Sequence, residues 1–480
     1  MAGLHCPKRL YLQVHEPDLA SELDEKSQAA FDQGQEVGLW ARKMFPGGVL
    51  IEAGHEGLNK ALVQTEQAVA NHQIPAVFEA TFQHGNVLVR TDILKRSSKG
   101  KWQLFEVKSA ANLKDRDVYD VAIQRLVLEG CGLNVVPCVM HLNREYVYDG
   151  QQYELEKLFR IQDLTDETSA LKKDVGELIR EQRRMLAQAA PPDIEPGRQC
   201  TNPVPCEFYD ICNQSLPYDH ITNLPALSPT KLNKLKGLGI ELIGQIPRDF
   251  SLTERQKRAW ECVKTRKPWF GKGLKNAVAG LGYPLYFMDF ETLAPALPRF
   301  VGMRPYDQIP FQWSVHIQAN PGAELEHSAF LAENGDDPRP AFVRTLCETL
   351  ERKGSIVVYS KPFESQRLSD LARWLPKHEN AISGIQGRLW DLLAVMHAHV
   401  YHPAFMGSFS LKSVLPALVR DMSYEGMEVA EGSEAGLAWD RMIRGQVDEA
   451  EKKRLREALL AYCKQDTLAM VRLLEILREV

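Results

Sequence analysis

Glu106 and Lys108 lie at a spacing that can support metal-assisted chemistry. They are two residues apart in QLFEVKS, so on a β-strand both side chains point to the same face. A hairpin can bring Asp92, in the preceding apolar run VLVRTDIL, beside them. Carboxylates bind Mg²⁺ or Mn²⁺ through oxygen, and a lysine can orient a metal-bound water or stabilise developing charge. The alternative is an exposed hairpin with ordinary solvated charges.

A second set of acidic residues has the same strand spacing. Asp289 and Glu291 are two residues apart in the apolar run LYFMDFET. Much later, Tyr462 and Asp466 stand at i and i+4 in AYCKQDTLAMV, which places them on one face of a helix. A two-metal site requires several carboxylates around ions roughly 4 Å apart, and a group that orients the water. Together the two stretches supply these residue types.

The stretch CTNPVPCEFYDIC, residues 200–212, contains Cys200, Cys206 and Cys212. Pro, Asn, Asp and Glu surround these thiols, which is unlike the neighbourhood of a buried structural cysteine. Three thiols can form one disulfide and leave one over, or they can form a metal site that lacks one ligand. The residues alone leave this choice open.

The composition indicates a globular protein with more than one domain. The chain has 480 residues, 44% hydrophobic and 25% charged, which favours two or three domains. Its formal net charge of −5 does not mark it as a nucleic-acid binder, although a local basic patch would not alter that balance. No run of eighteen apolar residues and no charged leader is present, so we expect a cytoplasmic protein without a membrane partner. Disulfides rarely persist there.

Hydrophobic periodicity predicts the elements that must position these residues. Two α/β patterns flank a helical segment, which predicts an α/β domain over 1–215, a connector over 216–278 and a second α/β domain over 279–480. The predicted strands are 76–82, 86–94, 101–109, 134–142, 283–292, 311–319, 327–332 and 355–360. The predicted helices include 17–45, 115–131, 362–374, 389–399 and 454–478.

The connector contains LSPTKLNKLKGLGIELIGQIP, which has short amphipathic helices around a GLGI turn. It resembles a helix-hairpin-helix, a motif that can present backbone amides to a phosphate. The alternative is a small helical connector without a ligand.

The order of Asp92, a hairpin, Glu106-x-Lys108 and a helix with Gln124 resembles the PD-(D/E)XK nucleases of the RecB type. The resemblance implies a restriction-endonuclease-like fold in which Asp92 and Glu106 bind the metal and Lys108 is catalytic. It also implies that Gln124, in DVAIQRLVL, supports the site, and it makes Glu79 a further acidic candidate.

One branch of the RecB-type nucleases carries an iron–sulfur cluster, with one cysteine ahead of the nuclease core and three after it. Cys6 in HCPKRLYL matches the first position, and Cys200, Cys206 and Cys212 match the others. Four thiolates suit a [4Fe–4S] cluster. Structural zinc, which usually shows CxxC knuckles, and unligated thiols are the alternatives.

The second acidic set resembles the DEDD exonucleases of the ribonuclease H-like fold, in the variety with Tyr in the last motif. The resemblance implies that Asp289, Glu291 and Asp466 are metal ligands and that Tyr462 orients the attacking water. Glu364, in YSKPFES, takes the place of the Asp of the middle motif. The alternative for that stretch is a strand-to-helix turn with a charged first helical turn.

The whole chain resembles a bacterial family that joins these two domain types. This implies a metal-dependent nuclease, an exonuclease that hydrolyses phosphodiester bonds of DNA single strands or ends in repair, processing or defence. The alternatives are a nucleic-acid-binding scaffold with one or both sites inactive and an exonuclease directed at RNA. No P-loop motif is present, so a helicase partner would be a separate protein.

Overall fold

The computed structural model describes residues 1–22, 24–52, 57–97, 100–202, 204–213 and 216–480. It confirms the α/β class. The chain divides into two compact units, Met1–Gln214 with Pro295–Asp307, and Ser215–Ala294 with Gln308–Val480. The predicted connector therefore falls within the second unit, and a short segment of the predicted second domain falls within the first.

The first unit is built on one six-stranded mixed sheet in the order β1-β2-β3-β4-β5-β6. The pairs β1–β2 and β4–β5 are parallel and the other three are antiparallel. The strands are β1 (Val49–Leu50), β2 (Ala76–His84), β3 (Val87–Arg96), β4 (Trp102–Lys108), β5 (Val135–Leu142) and β6 (Phe159–Asp163).

Apolar residues alternate along the central strands of this sheet and so build a core on each face. Leu94 pairs with Leu104 and both lie in the core beneath one face, whereas the neighbouring pair Ile93 and Phe105 lies in the core on the other. The helices of the unit are α1 (Ala2–His5), α2 (Pro7–His15), α3 (Glu25–Arg42), α4 (Leu58–Ala70), α5 (Asp115–Gly130), α6 (Leu155–Leu158), α7 (Thr165–Ala170), α8 (Lys172–Leu186) and α9 (Tyr209–Cys212).

The crossover helix α5 connects the parallel strands β4 and β5. Val121, Val127 and Leu128 of this helix pack in the same core as Leu94 and Leu104. Glu106 and Lys108 share their strand face with Leu104, so α5 covers the face that carries both polar side chains.

The second unit contains a five-stranded mixed sheet in the order β10-β9-β8-β11-β12. Neighbours β10, β9 and β8 are antiparallel, whereas β8, β11 and β12 are parallel. A separate antiparallel pair joins β7 to β13. The strands are β7 (Trp269–Phe270), β8 (Leu285–Leu293), β9 (Ile309–Gln318), β10 (Leu325–Leu331), β11 (Ser355–Val358), β12 (Leu389–Asp391) and β13 (Val400–Tyr401).

The helices of this unit pack on both faces of the sheet. Tyr286, Met288 and Phe290 of β8 pack with α13–α15 residues in one core, and α18 and α19 lie against the strand that carries Asp289 and Glu291. The helices are α10 (Pro229–Gly237), α11 (Glu254–Thr265), α12 (Leu274–Ala279), α13 (Arg339–Thr349), α14 (Lys361–Trp374), α15 (Glu379–Gln386), α16 (Leu392–His399), α17 (Leu411–Leu418), α18 (Gly432–Ile443) and α19 (Glu449–Glu479).

The predicted helix 17–45 is too long, because Pro17–Leu19 forms a 3₁₀ turn and α3 begins only at Glu25. The predicted helix 389–399 is wrong at its start, because Leu389–Asp391 pairs with β11 as an edge strand and the Asp391 side chain caps α16. In the connector, α10 is followed by a 3₁₀ turn at Ile243–Gln245, and the next α-helix starts only at Glu254. This arrangement fits a small helical connector better than a helix-hairpin-helix.

Within the described residues, no helix has the length and apolar character required to cross a membrane.

Candidate functional site

The second acidic set converges beside the central strand β8. Asp289 and Glu291 point to the face of β8 opposite the Met288 and Phe290 core. Asp466 and Tyr462 lie on α19, which packs along β8 and β9. The long helix therefore carries the residues of the last predicted motif to the two acidic residues of the first.

Three side chains in this cluster are close enough to hold one ion. Ligand atoms of Asp289, Glu291 and Cys463 all lie within 4.8 Å of one another, and this is the one such group among the described residues. The Cys463 Sγ lies 3.7 Å from Asp289 Oδ2. Asp466, predicted as the third ligand, lies outside this group, and the Tyr424 hydroxyl donates a hydrogen bond to its Oδ1.

Mutual repulsion in a buried setting makes these acids hard to ionise. Burial, together with the charges of Asp466, Glu291 and Glu364, raises the pKa of Asp289 well above its ordinary value. Burial and then Asp466 raise the pKa of Glu291 in the same direction, against a small opposing effect of Lys412. Burial raises the pKa of Asp466 to about 6, even though the Tyr424 hydroxyl and Lys412 favour its charged form.

Glu364 is a buried acid with an unsatisfied oxygen. It lies in the first turn of α14, is 2% exposed, and its Oε2 has no hydrogen-bond partner. Burial and the charge of Asp391 raise its pKa to about 8. The Asp391 side chain accepts a hydrogen bond from the Ala394 N–H, so this residue acts as a helix cap. Glu364 therefore has an oxygen available for a cation.

Three residues of this cluster were missed by the sequence reasoning. Cys463 stands beside Tyr462 in the same motif, so its helical position could have drawn attention to it. Tyr424 and Lys412 precede Asp466 by more than forty residues, and no spacing signal connects them to the acids. Burial raises the pKa of Cys463 and Tyr462, so both are neutral in the cation-free site.

The first acidic set lies where β3 and β4 run beneath α5. Lys108 Nζ lies 2.7 Å from Glu106 Oε1 and 2.8 Å from Asp120 Oδ2. Gln124 Nε2 donates to Glu106 Oε2 at 2.6 Å. Asp120 and Gln124 are i and i+4 on α5, hence on one helix face. The structure thus brings Glu106, Lys108 and Gln124 together and adds Asp120.

Asp92 lies on β3 beside this network, with its Oδ2 accepting the Val107 N–H at 2.7 Å. Glu79 stands opposite Asp92 on β2, has a φ of 55° and forms an ion pair with Arg42. Burial raises the pKa of Asp92 to about 6, with Glu79 acting in the same direction. A left-handed φ is costly for a glutamate and is typical of functional sites.

Glu106 and Lys108 of the first set form an ion pair inside the protein. Glu106 is 8% exposed, which contradicts the alternative of an ordinary solvated charge. Burial, then Asp92 and Asp120, raise the pKa of Glu106. Burial opposes the charge of Lys108, but Glu106 and Asp120 outweigh it and raise the pKa of the lysine.

The four predicted cluster cysteines line one cavity. Cys6, Cys200, Cys206 and Cys212 lie around this cavity together with Phe208 and Lys8, among others. Cys200 Sγ accepts the Gly197 N–H at 3.4 Å, and Cys6 caps the start of α2. Arg9 of that helix forms an ion pair of 2.8 Å with Glu207. The N-terminal helix is thereby held against the cysteine stretch, and none of the cysteines is in a disulfide.

Comparisons with known proteins cover parts of the chain. Residues 286–410 match a family model described as "Domain of unknown function (DUF2779)", a range that holds Asp289, Glu291 and Glu364 and ends before Asp466. The chain is similar to the "Uncharacterized protein MG366 homolog" of Mycoplasma pneumoniae, at 26% identity over 234 residues. That similarity covers 45% of this chain and 35% of the relative, so the chain spans about a third of the relative's length. No solved structure matches significantly.

Proposed function

We propose that the protein is a metal-dependent nuclease that hydrolyses phosphodiester bonds of DNA, with its main site in the second unit. In this proposal the first unit has a PD-(D/E)XK-type fold with a [4Fe–4S] cluster, and the second a ribonuclease H-like fold of the DEDD type. The proposal extends the resemblance of the sequence to these families.

The proposal rests on a cluster of buried acidic residues in the second unit. Asp289, Glu291, Glu364 and Asp466 gather in a largely buried site, and no ion pair among the described residues includes any of them. Several buried carboxylates without a compensating cation are strongly unfavourable, and hard divalent cations favour oxygen ligands. The unpartnered Oε2 of Glu364 also supports a bound cation, since a cation would satisfy this oxygen. Mg²⁺ and Mn²⁺ fit this donor set.

The residues of the site suggest how hydrolysis would proceed. Asp289, Glu291, Glu364 and Asp466 would hold the cations, which when bound lower the pKa of a water and neutralise the scissile phosphate. The Tyr462 hydroxyl, kept neutral by burial, would hydrogen-bond the attacking water. Lys412, whose charge acts on both Glu291 and Asp466, would draw the phosphate to the cluster.

A basic segment supports a nucleic acid as the substrate. Residues 255–275 contain eight basic residues and one acidic residue, although the whole chain has a net charge of −5. The Arg258 guanidinium lies 4.3 Å from the centre of the half-buried Trp269 ring. Exposed cations beside aromatic rings suit phosphates and stacked bases. Six of the basic side chains are exposed, namely Lys257, Lys264, Arg266, Lys267, Lys272 and Lys275.

The arrangement of the four cysteines supports a cluster over zinc. Zn–S bonds of about 2.3 Å in a tetrahedron set the sulfurs about 3.8 Å apart. Within the described residues, no three of these thiols lie within 4.8 Å of one another, although all four face one cavity. A group larger than a single ion, such as [4Fe–4S], would hold thiols that lie farther apart. The cluster would be structural, joining residue 6 to residues 200–212.

The test compares cleavage of labelled single-stranded DNA, duplex DNA and RNA by anaerobically purified protein with Mg²⁺ or Mn²⁺. We expect cleavage of DNA that EDTA abolishes and that Asp289→Asn lowers at least about 100-fold. Asp249→Asn, which makes the same change at an exposed residue of the same unit, is the matched control. Absence of metal-dependent cleavage of every polymer by cluster-loaded protein would refute the proposal, whereas preferential cleavage of RNA would change the substrate.

A second candidate is a first unit that binds nucleic acid without hydrolysing it. Both Glu106 oxygens already accept hydrogen bonds, one from Lys108 and one from Gln124. A metal at Glu106 would share the carboxylate lone pairs with these two donors. Binding of DNA that is unchanged in Lys108→Ala, with all cleavage abolished in Asp289→Asn, would favour this candidate for the first unit.

A further inference from the structure

The group Asp289, Glu291 and Cys463 contains a sulfur where the proposed hydrolysis needs only oxygen. Thiolates are soft ligands that select Zn²⁺ and related cations, whereas carboxylates alone suit Mg²⁺ and Mn²⁺. Cys463 is fully buried, and its Sγ faces both the carbonyl and the carboxylate of Asp289. Its place is therefore inside the acidic cluster rather than in the apolar core.

The distances match a tetrahedral ion with mixed ligands. Zn–S bonds of about 2.3 Å and Zn–O bonds of about 2.1 Å place the sulfur and oxygen about 3.6 Å apart. The separation between Cys463 Sγ and Asp289 Oδ2 is 3.7 Å. All three ligand atoms of the group lie within 4.8 Å of one another, as one small ion requires.

An independent observation also points to a ligand at this place. Glu364 is 2% exposed and its Oε2 has no hydrogen-bond partner. Its charge contributes to raising the pKa of Asp289, after burial, Asp466 and Glu291. Glu364 lies outside the group of three, but its unpartnered oxygen shows that the buried acids near Asp289 lack hydrogen-bond donors.

We propose that Asp289, Glu291 and Cys463 bind a thiophilic divalent cation of the Zn²⁺ class, which replaces Mg²⁺ or Mn²⁺ and inhibits hydrolysis. On binding, the Cys463 thiol loses its proton to solvent and the sulfur–metal bond forms, since a coordinating thiol is deprotonated. The proposed binding site rests on the distances between the three ligand atoms. Only the inhibition rests on the proposed nuclease function.

The first measurement is the Zn²⁺ content of EDTA-treated protein after equilibrium dialysis against Zn²⁺. We compare the parent with Cys463→Ser and Cys463→Ala, and use Cys347→Ser as the matched thiol control. All variants keep Cys6, Cys200, Cys206 and Cys212, so any difference reports on Cys463. We expect one fewer tightly bound Zn²⁺ per chain, or an affinity at least about tenfold lower, in both Cys463 variants. Zn²⁺ should also raise the melting temperature less in these variants.

The second measurement is inhibition of Mg²⁺-supported cleavage by Zn²⁺, with each variant referred to its own rate in Mg²⁺. Equal Zn²⁺ binding and equal thermal shifts in the parent and both Cys463 variants would overturn the inference, even if the protein is an active nuclease. A lower Zn²⁺ content in the variants would support the site even if no cleavage is found, in which case only the proposed function fails.

Discussion

The protein offers few hydrogen-bond donors to the buried carboxylates of the second unit. Asp466 has the hydroxyls of Tyr424 and Tyr462, Asp289 has the weak thiol donor of Cys463, and Glu364 Oε2 has none. In the first unit, by contrast, Lys108 and Gln124 satisfy Glu106. A site that lacks internal donors gains most from an added cation, which makes the second unit the better place for metal chemistry.

Tyr424 offers a test at the level of one atom. Tyr424→Phe removes only the hydroxyl that donates to Asp466, a buried carboxylate. We expect stability to fall by about 1.5–3 kcal/mol and metal affinity to fall about 10–100-fold, because the hydroxyl that orients a ligand is removed. Urea unfolding and Mn²⁺ titration measure the two effects.

The control for this variant is Tyr153→Phe. Its hydroxyl donates to the Pro298 carbonyl in the first unit, far in sequence from the acidic cluster. An unchanged Mn²⁺ affinity in Tyr424→Phe would show that the hydroxyl does not position Asp466.

At the scale of elements, α19 is joined to β9 by a buried polar network. His316 Nδ1 lies 2.8 Å from Thr467 Oγ1, and Ser314 Oγ contacts both Thr467 Oγ1 and His327 Nε2. Thr467 follows Asp466 on the helix, so this network sets the rotation of α19 that brings Asp466 to the cluster. Burial, and then His327 and Lys464, lower the pKa of His316 to about 4.

This network predicts a stability that depends on pH. The pKa of His316 is lower in the folded state than its ordinary 6.5, so between about pH 6.5 and 4 the unfolded chain binds a proton that the folded chain does not. Stability should therefore fall as the pH falls through this window. His316→Asn, which cannot be charged, should lose a few degrees less in melting temperature over the window than the parent. If the melting temperature fell equally with pH in the parent and in His316→Asn, this account would be contradicted.

The basic segment 255–275 can be tested as an element that binds nucleic acid. The double variant Lys267→Glu, Lys272→Glu reverses two exposed charges of the segment. Its affinity for a fluorescent single-stranded oligonucleotide in EDTA should fall. The slope of log affinity against log salt should become shallower by about 0.7 for each phosphate that the segment no longer neutralises. Lys353→Glu, an exposed lysine outside the segment, is the control. A salt slope that does not differ from the parent's would exclude the segment from binding.

At the scale of the whole chain, the cysteine cavity joins segments almost two hundred residues apart within the first unit. Cys6 and Arg9 lie against Cys200 and Glu207, and the Tyr11 hydroxyl donates to the Gln188 carbonyl. A cofactor bound by all four thiols would close a loop that contains the entire six-stranded sheet. Closing so long a loop reduces the freedom of the unfolded chain.

Removal of one cluster thiol should therefore destabilise the first unit. We expect Cys206→Ser to lose the visible absorption of the proposed iron–sulfur cluster, and residues 1–16 to exchange amide hydrogens faster. Mn²⁺ binding at Asp289 should be retained. Cys131→Ser, an exposed thiol of the same unit, should change none of these properties. Colourless parent protein with stoichiometric zinc would instead establish a zinc site.

Local sequence was enough to predict eight strands, β2–β5 and β8–β11, and which of their residues share a face, but not β1, β6, β7, β12 or β13. Glu106 with Lys108, and Asp289 with Glu291, are on common faces because side chains alternate along any strand, whatever lies around it. The same local rule accounts for the predicted strands and for Tyr462 with Asp466 on one helix face. The edge strand at Leu389 escapes prediction because a three-residue strand leaves almost no periodic signal.

Tertiary packing alone determined which of these faces meet and which atoms occupy the space between them. Asp120 reaches Lys108, Tyr424 reaches Asp466, and Cys463 joins Asp289 and Glu291. These contacts depend on strand register and on how a helix lies and rotates against its sheet, and both are set by packing across the core. The spacing of residues along the chain does not determine those distances, so only the tertiary structure shows which donors reach the site.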